Sequence, residues 1–149
     1  METRMVVEED YFTVIDVLDD WWGGWQMTHL LPRLFFEHFQ ATSFIMEENR
    51  SLAAFLIGFV SQTCSDEAYI HFVGVSPNMR NNGLARQLYE RFFVTVRNVG
   101  CHSCFPETFR LILERIEIEV LFVRYDVHDE CSSILTDSLF PEILARIRM

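Results

Sequence analysis

The stretch Ala68–Glu90, AYIHFVGVSPNMRNNGLARQLYE, changes its apolar period halfway, and that change decides the fold. From Ala68 to Val75 the residues are apolar on both faces, with Tyr69, Ile70, Phe72, Val73 and Val75, the types a buried strand prefers. Pro77 has no N–H to give to a ladder and stops it. Asn78, Arg80, Asn81 and Asn82 lead into Gly83, and beyond it Ala85, Leu88, Phe92, Val96 and Val99 recur at steps of three and four, one stripe of a helix.

A helix opened by a polar, glycine-containing loop presents free backbone N–H groups at the positive end of its dipole. That end suits an anion such as phosphate. Gly83 lets a ligand approach the backbone with no Cβ in the way. Arg80 and Arg86 flank the opening and are placed to add charge-assisted contacts. An ordinary strand–loop–helix junction would show the same pattern.

The hexapeptide Arg80-Asn81-Asn82-Gly83-Leu84-Ala85 resembles the (Arg/Gln)-x-x-Gly-x-(Gly/Ala) signature of the GNAT N-acetyltransferase superfamily. Val73-Gly74-Val75-Ser76-Pro77 resembles that family's fourth strand, with its proline before the loop. The resemblance runs from about Met5 to Gly100. It implies an α+β domain, a mixed, mostly antiparallel twisted sheet flanked by helices, that uses acetyl-CoA as co-substrate. Arg80, Asn81, Asn82, Gly83, Leu84, Ala85 and Arg86 would then hold the pyrophosphate. Val73, Gly74 and Val75 would line the edge that pairs with the pantetheine arm, and their N–H groups would polarise the thioester carbonyl. The loop is not a Walker loop, since no Gly-Lys-Ser/Thr follows, and it lacks the three glycines of a dinucleotide fingerprint.

Upstream, Met5–Val7 reads as a first strand and Asp10 as the cap of a helix with the stripe Tyr11, Val14, Ile15 and Leu18. The run Asp19-Asp20-Trp21-Trp22-Gly23-Gly24-Trp25 breaks that pattern. A second helix is expected with Thr28 as cap, Pro32 in its opening turn and Leu31, Leu34, Phe35 and Phe39 as its buried side. Ser43–Glu47 reads as a strand, Glu48-Asn49-Arg50 as a turn, and Leu52–Gln62 as a long strand interrupted by Gly58. The resemblance places the first loop beside the acceptor. Three tryptophans could stack on a cationic substrate and two aspartates could receive its ammonium, although capping the core and facing water are the plainer roles.

Downstream the family pattern fades, so the C-terminal third is atypical. Pro106–Ile116 looks helical, Glu117–Val127 like a strand, and Leu139–Ile147 like a closing helix. A long apolar strand there must pair inside the domain or offer an edge to a second copy, so a homodimer is a reasonable expectation.

The chain has the length of one domain, residues 1–149, and half of it is apolar, which argues for a packed core. No apolar run reaches the about 18 residues of a membrane span, and the acidic N-terminus lacks a signal peptide's apolar segment. A cytoplasmic protein with no membrane partner is expected. The net charge of −10 disfavours nucleic acid and suits a cationic acceptor. The chain holds no lysine, so no lysine can act as nucleophile or Schiff base. Cys101-His102-Ser103-Cys104, with His128 and Cys131, has the spacing of half a zinc or redox site, but buried reduced thiols are the expectation and no metal is assigned.

The expected activity is transfer of an acetyl group to an amine of a small molecule or peptide. The alternatives are a catalytically weak or inactive acyl-CoA-binding module and a thiol or zinc protein. A protonated amine must lose its proton before attack. Where many members of the resembled family carry a carboxylate on the fourth strand, this chain has Tyr69. His71 shares that strand face and titrates in the useful range, so it is the candidate base, with Glu67 the alternative and a core histidine the plain reading. Tyr125 is the candidate acid.

Overall fold

The computed structural model describes residues 1–106 and 125–126. Strand β1 (Glu2–Met5) leads into helix α1 (Asp10–Trp21), and a short helix α2 (Leu34–His38) follows. Three antiparallel strands come next: β2 (Phe44–Glu48), β3 (Ser51–Val60) and β4 (Glu67–Val75). Helix α3 (Leu84–Asn98) crosses to β5 (Ser103–Pro106), and β6 (Tyr125–Asp126) closes the described sheet. The sheet order is β1-β2-β3-β4-β5-β6, antiparallel except for the parallel pair β4–β5 that the α3 crossover requires.

Alternation along the strands divides the core in two. Phe44, Met46, Ala54, Leu56, Ala68 and Ile70 face α3, meeting Leu84, Leu88, Phe92 and Val96. Ile45, Phe55, Ile57 and Phe72 point the other way, onto Val14 and Leu18 of α1, Phe36 of α2 and Leu31 before it. Burying each large side chain contributes about 1.5–3 kcal/mol, so the sheet is held from both faces. Val99, expected on the α3 stripe, lies beyond the helix end and is exposed, while Leu84 takes the first buried position and Ala85 is half-buried.

Other departures from the sequence reading have local causes. The first strand ends at Met5, although the Val6 N–H still bonds to Ser43 O at 3.0 Å, the next position of the β1–β2 register, and the Val6 side chain is buried. Asp10 is the first helical residue rather than the cap, and its carboxylate reaches back to the Val7 N–H and to Arg4. The expected second helix is split by Pro32 into a 3₁₀ turn (Thr28–Leu30) and α2, and Phe36 takes the buried place while Leu34 is exposed. Pro106 belongs to β5 instead of opening a helix. The rest of that helix, the strand reading apart from Tyr125–Asp126 and the closing helix lie outside the described residues.

Gly58 marks a real irregularity. Ile57 pairs with Phe72 but Gly58 pairs with Ile70, so His71 is the extra residue of a bulge on β4. The hairpin between β2 and β3 turns on Asn49 and Arg50, both at positive φ (52° and 64°), which matches a two-residue primed turn.

Candidate functional site

β5 lies beside β4 only from Glu67 to Ile70. From His71 to Val75, among the described residues, that side of β4 has no strand partner. The Ser76 N–H donates to Ala53 O at 2.9 Å, which makes Ala54 and Val75 a non-hydrogen-bonded pair. The N–H and C=O of Val75 and Val73 therefore turn to the open edge, and those of Gly74 turn to β3. Of the three backbone donors expected from sequence, the strand offers two at that edge. Gly74 contributes by lacking a side chain: a Cβ there would stand 2.4 Å from the Phe55 ring.

At the end of β4 the chain makes a short 3₁₀ turn (Pro77–Met79) and passes Asn81 and Gly83, both left-handed, with φ of 65° and 71°. Gly83 occupies the N-cap position of α3, and no side chain caps it. The first intrahelical bond there is Gln87 N–H to Gly83 O, so the N–H groups of the first turn have no acceptor within the helix. Nothing lies within 4 Å of where a Gly83 Cβ would be. Asn81, Asn82 and Gly83 are exposed, whereas the Leu84 side chain is in the core and can serve a ligand only through its backbone.

Both flanking arginines have partners within the chain. Arg86 pairs with Glu90 one turn along α3, Nε to Oε1 at 2.9 Å. Arg80 Nη2 donates to Trp21 O at 2.6 Å, and its Nε to Val75 O at 3.4 Å.

Glu67, Tyr69 and His71 form a row along one face of β4. The Tyr69 hydroxyl donates to Glu67 Oε2 at 3.1 Å, its ring stacks on Phe59, and the His71 ring stacks on Phe35 at 4.3 Å. His71 is 8% exposed, and its Nε2 lies 2.8 Å from Leu30 O. A carbonyl only accepts, so Nε2 carries the hydrogen and Nδ1 holds the lone pair. The candidate base is thus also a packed core histidine, held at the bulge. Tyr125 pairs with Cys104, whose register partner on the other side is Ala68, so its backbone lies two strands from the start of β4.

The α1–α2 connection is built from aromatics. Trp21 stacks on Phe55, and Trp22 meets Phe55 and Phe72, so both belong to the core wall, while Trp25 is 49% exposed. Asp19 Oδ1 accepts the N–H groups of Met27 (2.7 Å) and Thr28 (2.9 Å), which commits this carboxylate to holding the loop. Beside it Asp19, Gln26, Thr28 and His29 line an open depression of about 430 Å³. His29 carries no periodic or motif signal in the sequence, because its place depends on the turn at Met27.

Cys101 and Cys104 are buried against α3. Burial, then the charge of Asp66, pushes the Cys101 thiol up, and burial pushes Cys104 up to about 12, so both remain protonated thiols near neutrality. Cys64 is exposed, and Cys131 with His128 lies outside the described residues. Among the described residues no three metal-ligating side chains come together, and no helix is long and apolar enough to cross a membrane.

Residues 11–110 match the sequence model of the acetyltransferase (GNAT) family. No curated protein sequence matches the chain. Among solved structures, the diaminobutyrate acetyltransferase EctA from Paenibacillus lautus, in complex with L-2,4-diaminobutyric acid and coenzyme A, superposes with a TM-score of 0.59 at 16% identity, covering 78% of this chain and 72% of that one. A GNAT family acetyltransferase from Brucella melitensis in complex with acetyl-CoA gives 0.59 at 12% identity, covering 84% and 86%. Naa20 from Chaetomium thermophilum, bound to a bisubstrate analogue, gives 0.56 at 15%, covering 78% and 69%. At these identities the likeness is one of fold.

Proposed function

The chain belongs to the acetyltransferase (GNAT) family, and on that premise we propose that it transfers the acetyl group of acetyl-CoA to an amine of a small molecule or peptide. The observation that carries this reading is the continuity of two backbone features. The edge of β4 that presents Val73 and Val75 runs directly into the glycine-opened N-terminus of α3. A ligand with amide groups along a flexible arm and a pyrophosphate at its end matches both in order. Gly83, with empty space where its Cβ would stand, admits the phosphates to the N–H groups of Leu84 and Ala85, flanked by Asn81 and Asn82.

In this reading the thioester lies at the bulge, beside His71. The Val73 N–H is placed to polarise its carbonyl, and a neutral amine attacks from the α1–α2 side. Nδ1 of His71, directly or through a water, takes the ammonium proton, because the Leu30 carbonyl fixes the other nitrogen as donor. Glu67, bonded to Tyr69, is the carboxylate that serves if His71 does not. Tyr125 is the acid proposed for the departing thiolate. The depression at Asp19, Gln26, Thr28 and His29, on a strongly acidic chain, supports a cationic acceptor. Diaminobutyric acid, the substrate bound to EctA, is an acceptor of that class.

The test is release of free CoA thiol from acetyl-CoA over a panel of diamines, amino acids and peptide N-termini. Turnover is expected, with kcat/KM falling as pH drops through the titration of the base. His71→Gln should flatten that limb and leave acetyl-CoA affinity intact. A surviving limb transfers the role to Glu67. Tight acetyl-CoA binding without release for any amine would refute catalysis.

A further inference from the structure

Helix α1 is stopped by Gly23 and Gly24, whose N–H groups cap Asp20 O and Asp19 O, but that cap does not reach the Trp21 carbonyl. The last helical turn carries Asp19 and Asp20 and no basic residue, the wrong sign for the negative end of a helix dipole. The Trp21 carbonyl still needs a donor. One comes from a residue 59 positions later, since Arg80 Nη2 lies 2.6 Å from Trp21 O, a short charge-assisted bond. The same guanidinium leans through Nε on Val75 O, the carbonyl that β4 turns to its open edge. One side chain therefore joins the end of α1, the edge of β4 and the loop that opens α3.

The segment after Trp21 begins at that joint. Trp21 and Trp22 pack on Phe55 and Phe72. Gly23 and Gly24, at φ of 73° and 87°, return their N–H groups to Asp20 O and Asp19 O. The chain then reaches the depression beside Asp19 and His29. We infer that Arg80 is a positioning residue: it transmits occupancy of the loop before α3 to the α1–α2 connection, and it is not a phosphate ligand. A molecule bound to the open edge and to the first turn of α3 holds the Ser76–Gly83 loop in one arrangement. Arg80 then holds the end of α1, so the co-substrate shapes the acceptor wall before the acceptor arrives. Linkage makes the effect reciprocal, with acceptor tightening co-substrate by the same factor.

This rests on the CoA-binding reading, and hydrogen exchange on the full chain separates the two. In the wild type, saturating CoA is expected to raise amide protection across residues 19–27. Arg80→Ala should bind CoA with an affinity reduced by no more than the lost coupling, roughly fivefold, with an unchanged salt dependence and no gain at 19–27. A gain that persists in Arg80→Ala overturns the inference. So does a flatter salt dependence, which would make Arg80 a phosphate contact. Should Arg80→Ala fail to fold, Arg80→Gln is read in the same way. A wild type that binds no CoA defeats the acetyltransferase reading itself. A wild type that binds CoA without any gain at 19–27 defeats only the linkage.

Discussion

The two faces of the sheet would contribute to the proposed site by different means. Along β4 and into α3 the groups proposed for it are backbone: the edge at Val73 and Val75, the left-handed turn at Gly83, and the first N–H groups of a helix. On the α1–α2 face they are side chains: the rings of Trp21, Trp22, Phe35 and Phe55, the Asp19 carboxylate and the His71 imidazole. A backbone site is specified by a few local residues that set conformation. A side-chain wall is specified by contacts between segments tens of residues apart. The first tolerates almost any side chain that leaves the backbone alone, and the second tolerates few.

The largest effects are expected at two glycines that open room for a ring on opposite faces. A Cβ on Gly58 would meet Phe92 at 2.4 Å and the Tyr69 carbonyl at 2.8 Å, whereas one on Gly74 would meet only Phe55 ring atoms, the nearest at 2.4 Å. A ring can tilt, but a backbone carbonyl inside a bulge has nowhere to go. Gly58→Ala should cost about 2–3 kcal/mol and Gly74→Ala about 1–2 kcal/mol, read as urea midpoints. The reverse order would mean that the bulge, and not the aromatic wall, is the yielding part of the sheet.

Gly83→Val probes the backbone half directly. Its Cβ meets nothing, so the fold should lose only the cost of a left-handed branched residue, about 1–2 kcal/mol. Acetyl-CoA affinity should fall at least tenfold, about 1.4 kcal/mol, because the side chain fills the space before the N–H groups. Calorimetry on the folded variant decides it. Unchanged affinity would remove the α3 N-terminus from the site.

The same division explains what could be seen in the sequence. The strand at Ala68–Val75, its stop at Pro77 and the helix stripe through Leu88, Phe92 and Val96 are written in adjacent residues, and the structure reproduces them. The row Glu67, Tyr69, His71 was legible too, because strand period alone puts alternate residues on one face. The bulge was visible only as Gly58, an interruption whose partner could not be named without the β3–β4 register. Phe36 was hidden because Pro32 broke the expected helix and shifted the buried stripe by one. The bond from Arg80 to a carbonyl 59 residues away has no local sign in the sequence. The strand β5 escaped because its four residues, Ser103–Pro106, are too few to show a period.

The smallest predicted effect concerns the start of α1, where one aspartate does locally what Arg80 does at a distance. Burial pushes the Asp10 carboxyl up, but the Arg4 guanidinium and the Val7 N–H outweigh it and hold the group below the ordinary carboxylate value. Arg4 donates to both Asp10 oxygens, at 2.7 and 2.8 Å, and also to Glu47, so β1, β2 and α1 meet at this point. A group whose folded pKa is depressed stabilises the fold above its unfolded pKa, and that contribution is lost as pH falls through the folded value. The difference in urea midpoint between the wild type and Asp10→Asn should therefore be greatest near pH 7 and close as pH falls below about 4. Subtracting the two curves removes the acid sensitivity of every other carboxylate. A gap that stays constant from pH 7 to pH 3 would show that Asp10 acts there through shape and hydrogen bonding alone, and that its charge contributes nothing.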